Sequence, residues 1–66
     1  MQIKVNGRPL EIAATLTVEG LLEQLGYQDH FVAVAVNETC IPRRSYGEHR
    51  LGERDTIEIL APMAGG

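Results

Sequence analysis

The sequence is poor in residue types on which several classes of protein depend. It has one cysteine, no tryptophan, and six lysines and arginines against nine aspartates and glutamates. A single cysteine excludes an internal disulfide, and such usage is typical of the reducing cytosol. The net charge of -3 argues against a nucleic-acid partner, because phosphate contacts need a concentration of lysine and arginine. The composition therefore predicts a cytoplasmic protein that does not bind nucleic acid.

Long hydrophobic runs are also missing. The longest, Phe31 to Val36, is far shorter than the roughly 20 residues that a membrane span needs. The first residues alternate between apolar and polar and lack the apolar core of a signal peptide. With 66 residues, 44% of them hydrophobic, the chain is expected to form one small domain with no membrane contact.

Residues that carry catalysis or bind metals are few and scattered. His30 and His49 lie before an apolar segment and in a polar one, without the spacing of a metal site. Cys40, between Thr39 and Ile41, is predicted to be a buried or half-buried thiol. The two final glycines are not expected to form a phosphate-binding loop, because such a loop leads from a strand into a helix. The sequence predicts no metal site and no bound cofactor.

The first part of the chain predicts a hairpin. Residues 2–6 alternate in polarity as a half-buried strand does, and Asn6-Gly7 is a pair that favours a type I′ turn. A second strand is predicted around Leu10 and Ile12. Because Pro9 has no N–H to donate, this strand is expected to lie at a sheet edge or to be only loosely paired.

One helix follows, at residues 18–25. Val18, Leu21, Leu22 and Leu25 repeat at the spacing of a single helical face. Thr17 is predicted to cap the start of this helix, and Gly26 to cap its end with a left-handed backbone.

Two further strands and an irregular one are predicted after the helix. In residues 31–36, three valines alternate with Ala33 and Ala35, which predicts a strand with an apolar face and a second face of small residues that leaves room for approach. Residues 41–46 are predicted as a short irregular strand, and residues 47–55 as a polar turn region. Residues 56–59 are predicted as a strand with both isoleucines pointing inward.

These elements need one shared core. A helix laid across one face of a mixed sheet buries both, and a right-handed crossover through the helix makes two strands parallel. The simplest result is an α+β fold, a ubiquitin-like β-grasp with a mixed sheet of four to five strands and one main helix packed on one face. Other five-element α+β topologies also fit the periodicity. The division expected is a domain at residues 1–61 and a flexible C-terminal tail at residues 62–66.

The chemically distinctive feature is the ending, Leu-Ala-Pro-Met-Ala-Gly-Gly. At average glycine usage of about 7%, a Gly-Gly terminus arises by chance roughly once in 200 chains. A terminal carboxylate becomes an acyl donor once ATP-dependent adenylation converts its oxygen into a leaving group. Met63 and Ala64 are expected to form the arm of such a tail. Gly65 and Gly66 lack a Cβ, so they are expected to fit through a narrow channel into the site of another enzyme. From Pro62 the tail extends at most about 17 Å.

The chain resembles the sulfur-carrier proteins of thiamine biosynthesis, small ubiquitin-like proteins that end in Gly-Gly. The resemblance covers essentially the whole sequence: IKVNG, TVEGLLEQLG, VAVAVN followed by IPR, and DTIEIL before the final GG. Two positions depart from the family pattern. Tyr46 stands where the family commonly has an aromatic residue, often tryptophan. Arg54 stands where the family commonly has a glycine before the aspartate, which suggests a different turn there.

The resemblance implies a reaction cycle in which this chain is a protein co-substrate and not an enzyme. An adenylating enzyme related to ubiquitin-activating enzymes would consume ATP to adenylate Gly66. Sulfur from a donor linked to a cysteine desulfurase would then give a thiocarboxylate, which passes sulfur to thiazole synthase. Leu60, Ala33, Ala35 and Glu58 are the expected docking residues for these partners.

Three alternatives share the same ending. The small subunit of molybdopterin synthase is a β-grasp carrier that uses a terminal thiocarboxylate, although such chains tend to be longer. A ubiquitin-like modifier would instead form isopeptide bonds to lysines. A β-grasp interaction module with an incidental Gly-Gly would do neither.

Overall fold

A computed structural model of the chain describes residues 1–13, 16–27 and 32–61. Over these ranges it has the following elements in chain order: strands β1 (Gln2–Val5) and β2 (Arg8–Glu11), helix α1 (Val18–Leu25), strands β3 (Ala33–Val36) and β4 (Thr39–Ile41), a 3₁₀ turn (Arg43–Ser45) and strand β5 (Thr56–Leu60). His30 and the predicted tail residues Met63, Ala64, Gly65 and Gly66 lie outside the described residues.

The strands form one mixed sheet in the order β2-β1-β5-β3-β4. The central strand, β5, runs parallel to β1 and antiparallel to β3, and the two outer pairs are antiparallel hairpins. Pro9 lies on the edge strand β2, opposite Lys4, as its missing N–H predicts. A five-stranded mixed sheet with one helix confirms the predicted β-grasp arrangement.

The core lies between α1 and one face of the sheet. It contains these buried side chains: Ile3, Ile12, Val18, Leu21, Leu22, Val32, Val34, Val36, Tyr46, Leu51, Ile57 and Ile59. The helical spacing predicts that Leu25 is on the buried face, but this prediction is wrong, because 37% of the side chain is exposed. It is the last residue of α1, where the chain turns away at Gly26.

Both predicted helix caps are confirmed. The Gly20 N–H donates to Thr17 Oγ1 at 3.1 Å, which satisfies one of the free donors of the first turn. Gly26 has a φ of 87°, the left-handed conformation that ends helices and favours glycine. The sequence therefore fixes the length of α1 at both ends.

The strand predicted at residues 41–46 is wrong beyond Ile41. Pro42 has no N–H to continue a ladder, and its φ of -61° starts the 3₁₀ turn instead. This turn brings Tyr46 into the core, where its hydroxyl donates to the Val32 carbonyl at 2.9 Å. The aromatic ring is thus buried with its polar atom satisfied.

The turn before β5 uses a left-handed arginine. Arg54 has a φ of 68°, and the Gly52 N–H donates to Asp55 Oδ2 at 2.7 Å. A left-handed backbone costs an L-residue roughly 1–2 kcal/mol, a cost that glycine does not carry. Arg54 therefore holds the conformation that a glycine at this position favours, so the arginine does not by itself require a different turn.

Replacing Arg54 with glycine is expected to raise the free energy of unfolding by about 0.5–1 kcal/mol, because it relieves the left-handed strain. Urea denaturation measures the change. Arg44→Gly is the matched control, since Arg44 is also exposed but lies in the 3₁₀ turn without a positive φ. The control is expected to lower stability, and a loss of stability in Arg54→Gly as well would contradict the strain argument.

Candidate functional site

The predicted docking residues share the face of the sheet opposite α1. Ala35 on β3 lies between Glu58 on β5 and Cys40 on β4, and Ala33 lies opposite Leu60. We call these five residues the alanine face. The register across three strands thus brings together Leu60, Ala33, Ala35 and Glu58, and it adds Cys40, which the sequence did not indicate.

The alanine face is open and has low relief. Leu60 is 72% exposed, an unusual position for a large apolar side chain, whereas Ala33 and Ala35 extend only one carbon from the backbone. A partner surface approaches the sheet closely over small residues and can bury Leu60 there. Burial of a leucine side chain contributes about 1.5–3 kcal/mol.

The prediction of a buried or half-buried Cys40 is wrong, because its side chain is exposed. Cys40 is on the edge strand β4, opposite Ala35, while its neighbour Ile41 is opposite Val34 and packs against the core. Side chains alternate between the two faces of a strand, so the half-buried Ile41, which packs against the core, places Cys40 on the outer face.

Strand β5 leads to the C-terminal segment, and it is held between two strands. Its last residue, Leu60, lies opposite Ala33 on β3. On the other side the parallel pairing with β1 reaches Val5 and Ile57. Ala61 follows directly and is the last described residue, so the tail begins at the centre of the sheet, next to the alanine face.

Two asparagine side chains hold the ends of β5, a feature that sequence reasoning missed. At the start of the strand, the Thr56 N–H donates to the side-chain oxygen Oδ1 of Asn37 at 3.0 Å. The backbone N–H of Asn37 donates to the Thr56 carbonyl at 2.7 Å. Near its end, the Ile59 N–H donates to Asn6 Oδ1 at 2.8 Å, and Asn6 Nδ2 donates to the Ile59 carbonyl at 3.3 Å. Asn6-Gly7 was interpreted only as a turn.

Outside the alanine face, the described ranges contain little that is organised for chemistry. Among residues 1–13, 16–27 and 32–61, no three His, Cys, Asp or Glu side chains are grouped as a metal site requires. In the same part of the chain, no helix has the length and hydropathy to cross a membrane. An open groove between α1 and the 3₁₀ turn has mixed charge, with Glu19, Glu23, Arg43 and Arg44 among its lining residues.

Comparison with known proteins points to one family. A family model described as the ThiS family matches residues 3–66. The chain is 36% identical to the sulfur carrier protein ThiS of Escherichia coli strain K12, over the full length of both. A crystal structure of a thiamine biosynthesis protein (ThiS) from Geobacter metallireducens superposes with a TM-score of 0.85 at 32% identity, covering all of both chains.

A longer kind of protein also matches. The chain is 41% identical over 66 residues to a thiazole synthase of Magnetococcus marinus. It spans 20% of the length of that protein, and the same share of a second thiazole synthase, from Paramagnetospirillum magneticum. Sequences similar to this chain therefore occur both as a small protein and within a larger one.

Proposed function

The chain belongs to the ThiS family, and on that premise we propose that it carries sulfur for thiamine biosynthesis as a thiocarboxylate on Gly66. The observation that supports this most directly is the position of β5. This central strand is bonded on both sides as far as Ile59 and Leu60, and Ala61 leads from there to the terminal glycines. A strand held on both sides, followed in sequence by two terminal glycines without side chains, suits delivery of a carboxylate into the site of another enzyme.

The first proposed step is adenylation by a partner enzyme similar to ubiquitin-activating enzymes. A carboxylate oxygen of Gly66 attacks the α-phosphorus of ATP, the bond to the β-phosphate oxygen breaks, and pyrophosphate leaves. The product is an acyl-adenylate whose leaving group is AMP. In this step the chain is a co-substrate, and the ATP binds to the partner.

The second proposed step installs sulfur. The terminal sulfur of a cysteine persulfide, supplied by a donor linked to a cysteine desulfurase, attacks the Gly66 carbonyl and displaces AMP. The product is an acyl disulfide between Gly66 and the cysteine side chain of the donor. A second thiol then attacks the sulfur atom of that side chain, which forms a new disulfide and releases the thiocarboxylate on Gly66. Thiazole synthase takes the sulfur, and an oxygen atom from water or from the sulfur acceptor replaces it on the Gly66 carbonyl carbon, which restores the carboxylate. A cycle that depends on thiols and ATP fits the reducing cytoplasm, where we place it.

Intact mass measurement tests the carrier proposal. The purified chain is incubated with ATP, the cognate adenylating enzyme and a sulfur source, and we expect its mass to rise by the difference between one sulfur and one oxygen. Covalent ladders of larger mass would instead support a protein modifier. An unchanged mass under conditions in which the E. coli carrier gains sulfur would contradict the proposal.

We assign partner docking to the alanine face. Leu60→Asp is expected to weaken binding to the adenylating enzyme by about 10- to 100-fold, since a buried leucine contributes about 1.5–3 kcal/mol and a carboxylate there would be desolvated. Because Leu60 is 72% exposed, the fold should be retained. Titration of the fluorescently labelled variant with the adenylating enzyme, followed by fluorescence anisotropy, gives the Kd.

Thr56→Asp is the control for this substitution. Thr56 is also exposed on the outer face of β5, but it lies at the end of the strand remote from the tail. We expect its Kd to stay close to that of the unmodified chain. Equal Kd values for Leu60→Asp and the unmodified chain would exclude Leu60 from the interface.

A further inference from the structure

The pairing of β1 with β5 ends before β5 does. The Asn6 N–H donates to the Ile57 carbonyl at 2.8 Å, and the main chain then turns away through Asn6 and Gly7, with φ values of 51° and 84°. Among the described residues, Ile59 therefore has no neighbouring strand on that side. The amide of Asn6 supplies the acceptor and the donor that a continuing strand would supply.

This side chain fixes the segment from which the tail starts. Both bonds are part-buried, and removal of the amide leaves the Ile59 N–H and carbonyl without the protein groups that hold them. Ala61 is only two residues further along the chain. Any rotation of the backbone at Ile59 would change the direction in which the chain leaves the sheet.

We infer that Asn6 is a positioning residue for adenylation, because its bonds to Ile59 set the direction in which the chain leaves the sheet toward Gly66. The inference rests on the proposed carrier function. A carboxylate reacts when it is held in near-attack geometry, and a misplacement of 1 Å can lower a rate by about 100-fold. A fixed exit direction reduces the number of conformations from which the carboxylate must reach the phosphorus.

Asn37 provides an unusually close control. It is also exposed, its φ of 50° matches the 51° of Asn6, and its side chain also accepts from a β5 backbone N–H. The Asn37 side chain is bonded to Thr56, which lies at the end of β5 remote from the tail. Glycine adopts a positive φ at both positions, so Asn6→Gly and Asn37→Gly remove side-chain bonds without forcing the turn to change.

The test is ATP–pyrophosphate exchange catalysed by the cognate adenylating enzyme with each variant as substrate. For Asn6→Gly we expect kcat to fall about tenfold while the KM for the carrier changes less than about twofold, because the docking face is intact. For Asn37→Gly both parameters should stay within about twofold of the unmodified chain. Amide hydrogen exchange should lose protection at Ile59 in the first variant and at Thr56 in the second.

Asn6→Asp adds a partial rescue and serves as the test if Asn6→Gly does not fold. Its carboxylate keeps the acceptor for the Ile59 N–H but loses the donor to the Ile59 carbonyl, so its kcat should lie between those of Asn6→Gly and the unmodified chain. Equal losses in Asn6→Gly and Asn37→Gly, or an unchanged kcat in both, would overturn the positioning role.

A chain without Gly66 separates this inference from the proposed function. If exchange is lost on deletion of Gly66 but unaffected by Asn6→Gly, the carrier function stands and only the role of Asn6 is wrong. If exchange survives the deletion, the proposed function itself fails, and the inference fails with it.

Discussion

A chain that lacks Gly66 should lose ATP–pyrophosphate exchange and thiocarboxylate formation while keeping its fold. Deletion moves the terminal carboxylate to Gly65, about 3.5 Å short of its former position. An error of 1 Å costs about 100-fold, so a loss of at least about 1,000-fold in kcat/KM is expected. The buried core residues that the structure describes all precede Ala61, so urea denaturation should give the same midpoint as for the full chain.

Ala64→Gly is the control for the deletion. It changes one residue of the same segment but keeps the number of residues between the sheet and the carboxylate, so exchange should remain close to normal. Intact mass should show sulfur incorporation in Ala64→Gly and none in the chain without Gly66. Exchange by the shortened chain at more than a tenth of the normal rate would show that adenylation does not require Gly66.

The sequence predicts which residues of strand β3 belong to the alanine face, but it does not predict how the neighbouring strands pair with them. Alternation of valine with Ala33 and Ala35 is local, and it sets which side chains share a face because side chains on a strand repeat with a period of two. That Leu60 lies opposite Ala33, and Glu58 opposite Ala35, depends on pairing between strands that are distant in sequence. Register of this kind is fixed by the packed core and turns, so periodicity alone does not give it.

Tyr46 and Asn6 each have a role that the local sequence pattern does not show. Tyr46 looked like part of a strand, but it follows a 3₁₀ turn and buries its ring while its hydroxyl bonds to the Val32 carbonyl. Asn6 was assigned only a turn, because its left-handed preference is visible in sequence while its bonds to Ile59, 53 residues away, are not. A local sequence pattern predicts the backbone conformation of a residue, whereas the hydrogen-bond partners of its side chain depend on the complete fold.

Leu21→Ala should remove a large part of the stability of the domain. Leu21 is fully buried, at 0% exposure, between α1 and the sheet. Truncation of a buried leucine costs about 2–5 kcal/mol, since transfer energy is lost and a cavity remains. At about 0.05–0.15 kcal/mol per residue, a domain of 66 residues has roughly 3–10 kcal/mol in total. Urea denaturation should show a much lower midpoint, and Tm should fall by about 15 °C.

Leu25→Ala makes the same chemical change one helical turn further along α1, where 37% of the side chain is exposed. Its cost should stay below about 1 kcal/mol, because less apolar area leaves contact with the core and alanine has at least the helix propensity of leucine. The difference between the two variants therefore measures burial, with residue type and helix held constant. Equal costs would mean that α1 packs on the sheet through its last turn as firmly as through its middle, contrary to the exposure of Leu25.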